Sequence, residues 1–115
     1  MNGEEARQRL YEIFGSQLKF NKQFDQYAEN LKEGMMQDLL HWCKRAKENK
    51  LLGSVPSKKK FKHLYTFFRK IGSDTRAILI KEQNSQFIEV ILTGHRHYDE
   101  TRLKLGYKKS SYYGS

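Results

Sequence analysis

The residues of this chain best equipped for proton transfer fall within one short run. Thr93-Gly94-His95-Arg96-His97-Tyr98-Asp99-Glu100 holds two imidazoles, a guanidinium, a phenol and two carboxylates. Such groups can donate, accept and relay protons near neutral pH. The run follows directly on Phe87–Thr93 (FIEVILT), the strongest strand signal in the chain. Gly94 marks a bend or a close backbone approach. Metal binding is one alternative: His95 and His97 share a face if the strand continues. No third ligand stands at a strong motif spacing, and the many nearby Lys and Arg oppose a dication. The other alternative is a polar strand end with solvated side chains.

Cations surround the cluster in sequence. Arg76 opens the preceding strand, and Arg69 and Lys70 close the one before. Lys58, Lys59, Lys60 and Lys62 lead into that strand. In a meander the end of one strand lies beside the start of its neighbour, so Arg76 is expected beside the end of Phe87–Thr93, close to His95–Tyr98. A groove of Arg, Lys, His and Tyr suits RNA. Cations hold phosphates, a tyrosine ring stacks on a base, and an imidazole moves a proton. RNA carries its own nucleophile in the 2′-hydroxyl. Cleavage then needs in-line positioning, proton transfer at two oxygens, and cations on the developing charge.

Those residues need elements to hold them. The spacing of Phe24, Tyr27, Ala28 and Leu31 predicts a helix from Lys22, with Asn21 as its N-cap. Met36, Leu39, Leu40, Cys43 and Ala46 predict a second helix, with Trp42 at the edge of its stripe and Lys44, Arg45 and Lys47 near its C-terminus. Together they read as a helical hairpin. Gly53 and Pro56 break the chain, and the pattern then turns to strands: His63–Lys70, Thr75–Lys81 and Phe87–Thr93. Ile71–Asp74 and Asn84-Ser85 are the expected turns, and Gln17–Phe20 can add a fourth strand. The expected fold is α+β, a helical hairpin packed on one face of a small antiparallel sheet of three to four strands, with the other face free. Residues 1–15 fit a helix or a short strand, and 99–115 read as a tail with Tyr107, Tyr112 and Tyr113.

Composition bounds the rest. A chain of 115 residues is one domain, 1–115. Hydrophobic residues reach 37% and aromatics 13%, enough for a core despite a mean hydropathy of -0.85. Cys43 is the one cysteine, so an internal disulfide is excluded, and it reads as a small core residue. No apolar stretch approaches a membrane span, and Met1 opens onto a polar segment, so a soluble cytoplasmic domain is expected. The net charge is +9. Residues 1–55 hold 9 basic and 8 acidic side chains, whereas 56–115 hold 13 and 5. A field concentrated in one half favours a polyanion: nucleic acid, an acidic protein or an anionic membrane.

The order of strand, helical hairpin, basic linker and three-stranded meander resembles the RelE/ParE toxin superfamily over roughly residues 16–98. FRKIGSDTRAILI followed by FIEVILTGHRHYDE is similar to its core pattern. The resemblance implies a toxin of a type II toxin–antitoxin system: a metal-independent, cofactor-free endoribonuclease that cuts mRNA on the ribosome and leaves a 2′,3′-cyclic phosphate. It further implies a cognate acidic antitoxin. Arg76 looks like the phosphate-stabilising arginine of the family, and His97-Tyr98 resembles the His-Tyr pair of the YoeB branch, one for proton transfer and one for stacking. Arg96 stands at the family's His-Arg element. Lys58, Lys59, Lys60 and Lys62, with Arg69, Lys70 and His95, are the expected RNA contacts. A ParE-like gyrase inhibitor and a non-catalytic basic binding domain are the alternatives.

Overall fold

A computed structural model describes residues 1–107. The elements run α1 (Gly3–Phe14), β1 (Lys19–Phe20), α2 (Phe24–Asn30), α3 (Glu33–Lys47), β2 (Leu64–Ile71), β3 (Thr75–Glu82), β4 (Phe87–Thr93) and α4 (His95–Leu105). A single 3-10 turn, Lys59–Phe61, precedes β2. The fold is α+β, as expected.

The sheet order is β1-β4-β3-β2. Strands β2, β3 and β4 form the antiparallel meander that the turn residues dictate. Asn84 supplies the left-handed backbone (φ 58°) of the β3–β4 turn, and Gly72 (φ 65°) that of the β2–β3 turn. The short edge strand differs from a fully antiparallel sheet: β1 runs parallel to β4, with Lys19 opposite Glu89 and Phe20 opposite Val90. The helices between them bring the chain back in the same direction.

Asn21 does not cap a helix; Gln23 stands at the start of α2. Its amide instead grips β4, donating to the Leu92 carbonyl (2.8 Å) and accepting from the Leu92 N–H (3.0 Å). Gln17 donates to the Phe87 carbonyl (2.9 Å) on the other side of β1. Two side chains thus extend a two-residue strand and close the outer edge of β4.

Residues 1–15 resolve as a helix. The Asn2 side chain accepts the Glu5 N–H, and the Glu5 carboxylate accepts the Asn2 N–H, a capping box. Ala6, Leu10 and Phe14 line its buried stripe. With α2 and α3 this helix covers one face of the sheet, over a core that includes Leu39, Cys43, Phe67, Leu79, Phe87 and Leu92.

The other face is not free. Helix α4 lies there, and Tyr98 joins Leu64, Ile78, Ile80 and Ile91 in a second core, flanked by Phe61, Phe68 and Ile88. The segment expected to be a tail from residue 99 is therefore helical through Leu105, closed by Gly106 in the left-handed region (φ 100°). Its end is fastened to the linker: Ser57 Oγ donates to the Gly106 carbonyl (2.7 Å), and the Tyr107 hydroxyl lies 2.6 Å from Thr66 Oγ1. Tyr112 and Tyr113 lie outside the described residues. Among the described residues no helix is long and apolar enough to cross a membrane.

Candidate nucleic-acid interface

The sheet register places Arg76 where the strand order required. Arg76 pairs with Thr93 on β4 and with Lys70 on β2, so the three residues form one row across the sheet end. Helix α4 starts two residues beyond Thr93, at His95. Gly94 is its N-cap, and a Cβ there would sit 2.8 Å from the Tyr27 hydroxyl, the close approach that a glycine permits.

The arginine itself is withdrawn. Arg76 is only 7% exposed, and its Nη1 donates to the carbonyls of Ser73 (3.1 Å) and Thr75 (3.2 Å). Its Nε is buried without a hydrogen-bond partner among the described residues. In this conformation the guanidinium braces the β2–β3 turn rather than facing solvent.

The His-Arg-His-Tyr run is helical, not an extension of β4. Each residue therefore turns about 100° from the last, and the two histidines do not share a face. His95, Arg96 and His97 are exposed. His95 Nε2 pairs with Asp99 Oδ2 at 3.1 Å, one turn along the helix. The first turn of α4 has no side-chain cap and no acid. Three basic side chains thus stand where a carboxylate is normally favoured.

Tyr98 is the clearest correction. Its side chain is fully buried (0% exposed), packed edge-to-face on Phe68 with centroids 5.9 Å apart. Tyr98, Arg102 and Leu105 recur at i, i+4 and i+7, which aims all three at the sheet. A ring in that position cannot stack on a base while α4 is docked. Burial pushes the phenol pKa up, and the nearby Arg102 and Arg76 partly offset this. Arg102 stands near the hydroxyl, which among the described residues has no hydrogen bond of good geometry.

Arg69 is the second correction. It projects to the opposite face and grips Asp38 of α3 in a two-pronged ion pair, Nε to Oδ2 at 3.1 Å and Nη2 to Oδ1 at 2.7 Å. It ties sheet to helix and lies apart from the α4 side. Lys70 is exposed on the Arg76 face. Lys58, Lys59, Lys60 and Lys62 are all exposed around the 3-10 turn, and the Lys60 ammonium lies 5.2 Å from the Phe61 ring centre.

What the structure does join is Phe61, the last residue of the 3-10 turn, and His97; Lys58, Lys59, Lys60 and Lys62 do not line the space between them. A groove of about 410 Å³ runs between α4 and the β4 side of the sheet. Phe61, Leu64, Ile80, Ile88 and Ile91 supply its apolar lining. His97, Glu100, Thr101 and Lys104 line it from α4, and Asn21 and Glu89 from the sheet edge. Arg76 and Tyr98 do not line it. His97 is thus separated from the other two members of the expected trio by the helix that carries it.

Glu89 and Lys104 were not legible as site residues in the sequence. Glu89 interrupts the apolar run of β4, which is the one signal it gave. Its carboxylate is half-buried, and burial raises its pKa, opposed at longer range by Lys19 and Lys104. Comparison of the chain with protein-family models, curated proteins and solved structures found no match to any of them.

Proposed function

We propose that this chain is an RNA-directed toxin domain of the RelE type, and that single-stranded RNA lies along the groove beside α4. The observation that carries this reading is a groove that runs from Phe61, whose sequence neighbours are the exposed turn lysines, to Lys104 and the exposed imidazole of His97. Cations at Lys58, Lys59, Lys60, Lys62 and Lys104 hold the backbone phosphates. Apolar walls receive the bases. His97 takes the proton of a 2′-hydroxyl as it attacks its own phosphodiester; the P–O5′ bond breaks, and the departing 5′ oxygen takes a proton from solvent, leaving a 2′,3′-cyclic phosphate and a 5′-hydroxyl. Arg76 joins the reaction only if α4 shifts, because its guanidinium is covered. An acidic antitoxin segment neutralises the basic half of the chain, and mRNA on the ribosome is the substrate.

The second reading is a basic RNA-binding domain without cleavage. The burial of Arg76 and Tyr98 favours it. One experiment separates the two: incubate the purified chain with free RNA and with translated mRNA in a chelator, then map the ends. Cleavage leaving 2′,3′-cyclic phosphate, lost in His97→Ala, supports the toxin reading. Salt-sensitive binding with no new ends supports the second. Absence of RNA binding sinks both.

A further inference from the structure

We infer that Glu89 makes the α4 groove a guanine-selective base pocket, reading the paired N1–H and N2–H donors of guanine with its carboxylate. This inference rests on the RNA reading above and adds a base specificity to it.

The starting point is the oddity of the residue's position. The chain carries +9, yet a half-buried carboxylate lines its 410 Å³ groove. If the groove only tracked phosphates, an acid there would repel them. Among the described residues Glu89 makes no direct ion pair or hydrogen bond; Lys19 and Lys104 act on it from farther away. Its oxygens are therefore free to accept, in surroundings built from Leu64, Ile80, Ile88 and Ile91. The carboxylate still reaches water at the groove mouth, and a ligand that brings two N–H donors there replaces that water with charge-assisted hydrogen bonds.

The neighbouring charges decide the class of ligand. A lysine or arginine side chain would satisfy a carboxylate, but Lys19 and Lys104 already act on this one and repel a second cation, with Glu100 the other acid in the groove. The ligand must be neutral where it meets Glu89 and anionic nearby. A nucleotide unit meets both conditions. Among the bases, guanine alone presents two adjacent N–H donors on its Watson–Crick edge, matched to the two oxygens of a carboxylate. Adenine and cytosine each place a ring acceptor beside one amino group, and uracil flanks one N–H with two carbonyls. Each of those would set a lone pair against the Glu89 oxygens. The β-branched walls at Ile80, Ile88 and Ile91 suit a flat ring.

The test uses the full chain and short fluorescent oligouridylates carrying one central guanosine, adenosine or cytidine, with binding read by anisotropy. A guanosine preference of about tenfold or more is expected, which Glu89→Gln reduces to within about twofold. The ratio between oligomers is the readout, since removing an acid also strengthens phosphate contacts. Equal affinity for all oligomers in the unmutated chain overturns the inference and leaves RNA binding standing. A guanosine preference that survives Glu89→Gln overturns the assignment to this carboxylate. Failure to bind any oligomer overturns this inference, and the RNA reading falls with it only if translated mRNA is also left uncut.

Discussion

The guanidinium carbon of Arg102 lies 4.3 Å from the centre of the Phe68 ring, and this contact clasps α4 to β2. Tyr107 meets the same ring edge-on at 5.0 Å, so one phenylalanine receives both the middle and the end of the helix region. The expected consequence is measurable. Arg102→Ala removes the cation–π contact and the packing of the arginine stem, and should lower stability by about 1–2 kcal/mol. Hydrogen exchange should rise first in α4, ahead of β3 and β4. Uniform exchange across the molecule would show that α4 is held by other means.

Tyr98 offers the sharpest division between structural and chemical roles. Its hydroxyl is buried without a well-formed hydrogen bond, so Tyr98→Phe removes a desolvated polar group and keeps the packing. Stability should stay level or rise by about 1 kcal/mol, with RNA cleavage intact. Tyr98→Ala should cost about 3–5 kcal/mol through cavity formation. Loss of cleavage in Tyr98→Phe, with the melting temperature unchanged, would return the phenol to the reaction.

His97 is exposed, so His97→Ala should leave the melting temperature within experimental error. Cleavage should fall by about 10²–10⁴-fold, the range for losing a general acid or base. RNA affinity should change far less than the rate. A variant that binds and cuts normally would exclude this imidazole.

Glu89 gives a pH signature. Burial raises its folded-state pKa above that of the unfolded chain, against the pull of Lys19 and Lys104. The folded protein therefore holds this proton more tightly, and the stability it lends is full at low pH. That stability fades as pH rises through the raised pKa. At neutral pH Glu89→Gln should thus be as stable as the original chain or more so, and the difference should vanish on acidification below the ordinary glutamate range. His97, Lys104 and Glu100 share the groove, so the comparison is made between the two chains at each pH. A variant destabilised at neutral pH would mean that the carboxylate has a direct partner.

Asn21→Ala removes both bonds to the Leu92 backbone and should cost about 1–3 kcal/mol, because a strand N–H and carbonyl lose their partners. Asn21→Asp keeps the acceptor and loses the donor, and should fall between the two. Equal stability of all three would show that water replaces the amide without loss.

The strands were legible because short apolar and aromatic runs, Phe87–Thr93 apolar on both faces, were separated by turn residues with definite backbone needs, Gly72 and Asn84 among them. The row Lys70–Arg76–Thr93 followed from that reading. Helix α4 was not legible for a specific reason: Tyr98, Arg102 and Leu105 keep helical spacing, but an arginine sits where an apolar residue would announce the stripe. Arg102 buries its stem and stacks its head, so a charged residue does the work of a hydrophobic one. Gly106 and the basic Lys104 were the stop signals available. At the other end, Asn2 and Glu5 already spelled a capping box for α1. The groove depends on which side of a helix faces which strand, and Glu89 and Lys104 are brought together only by that packing.

The asymmetry of the sheet margins has a consequence for self-association. With Gln17 and Asn21 bonding the β4 backbone on either side of β1, β4 itself offers no berth for a foreign strand. On the β2 side, the Ser54 backbone bridges Thr66, and the Ser54 carbonyl also accepts from the Tyr107 hydroxyl. The backbone of Phe68 and Lys70 has no outward partner there among the described residues. That margin of β2 is thus open to an added strand, the place where an unpaired sheet edge meets another chain.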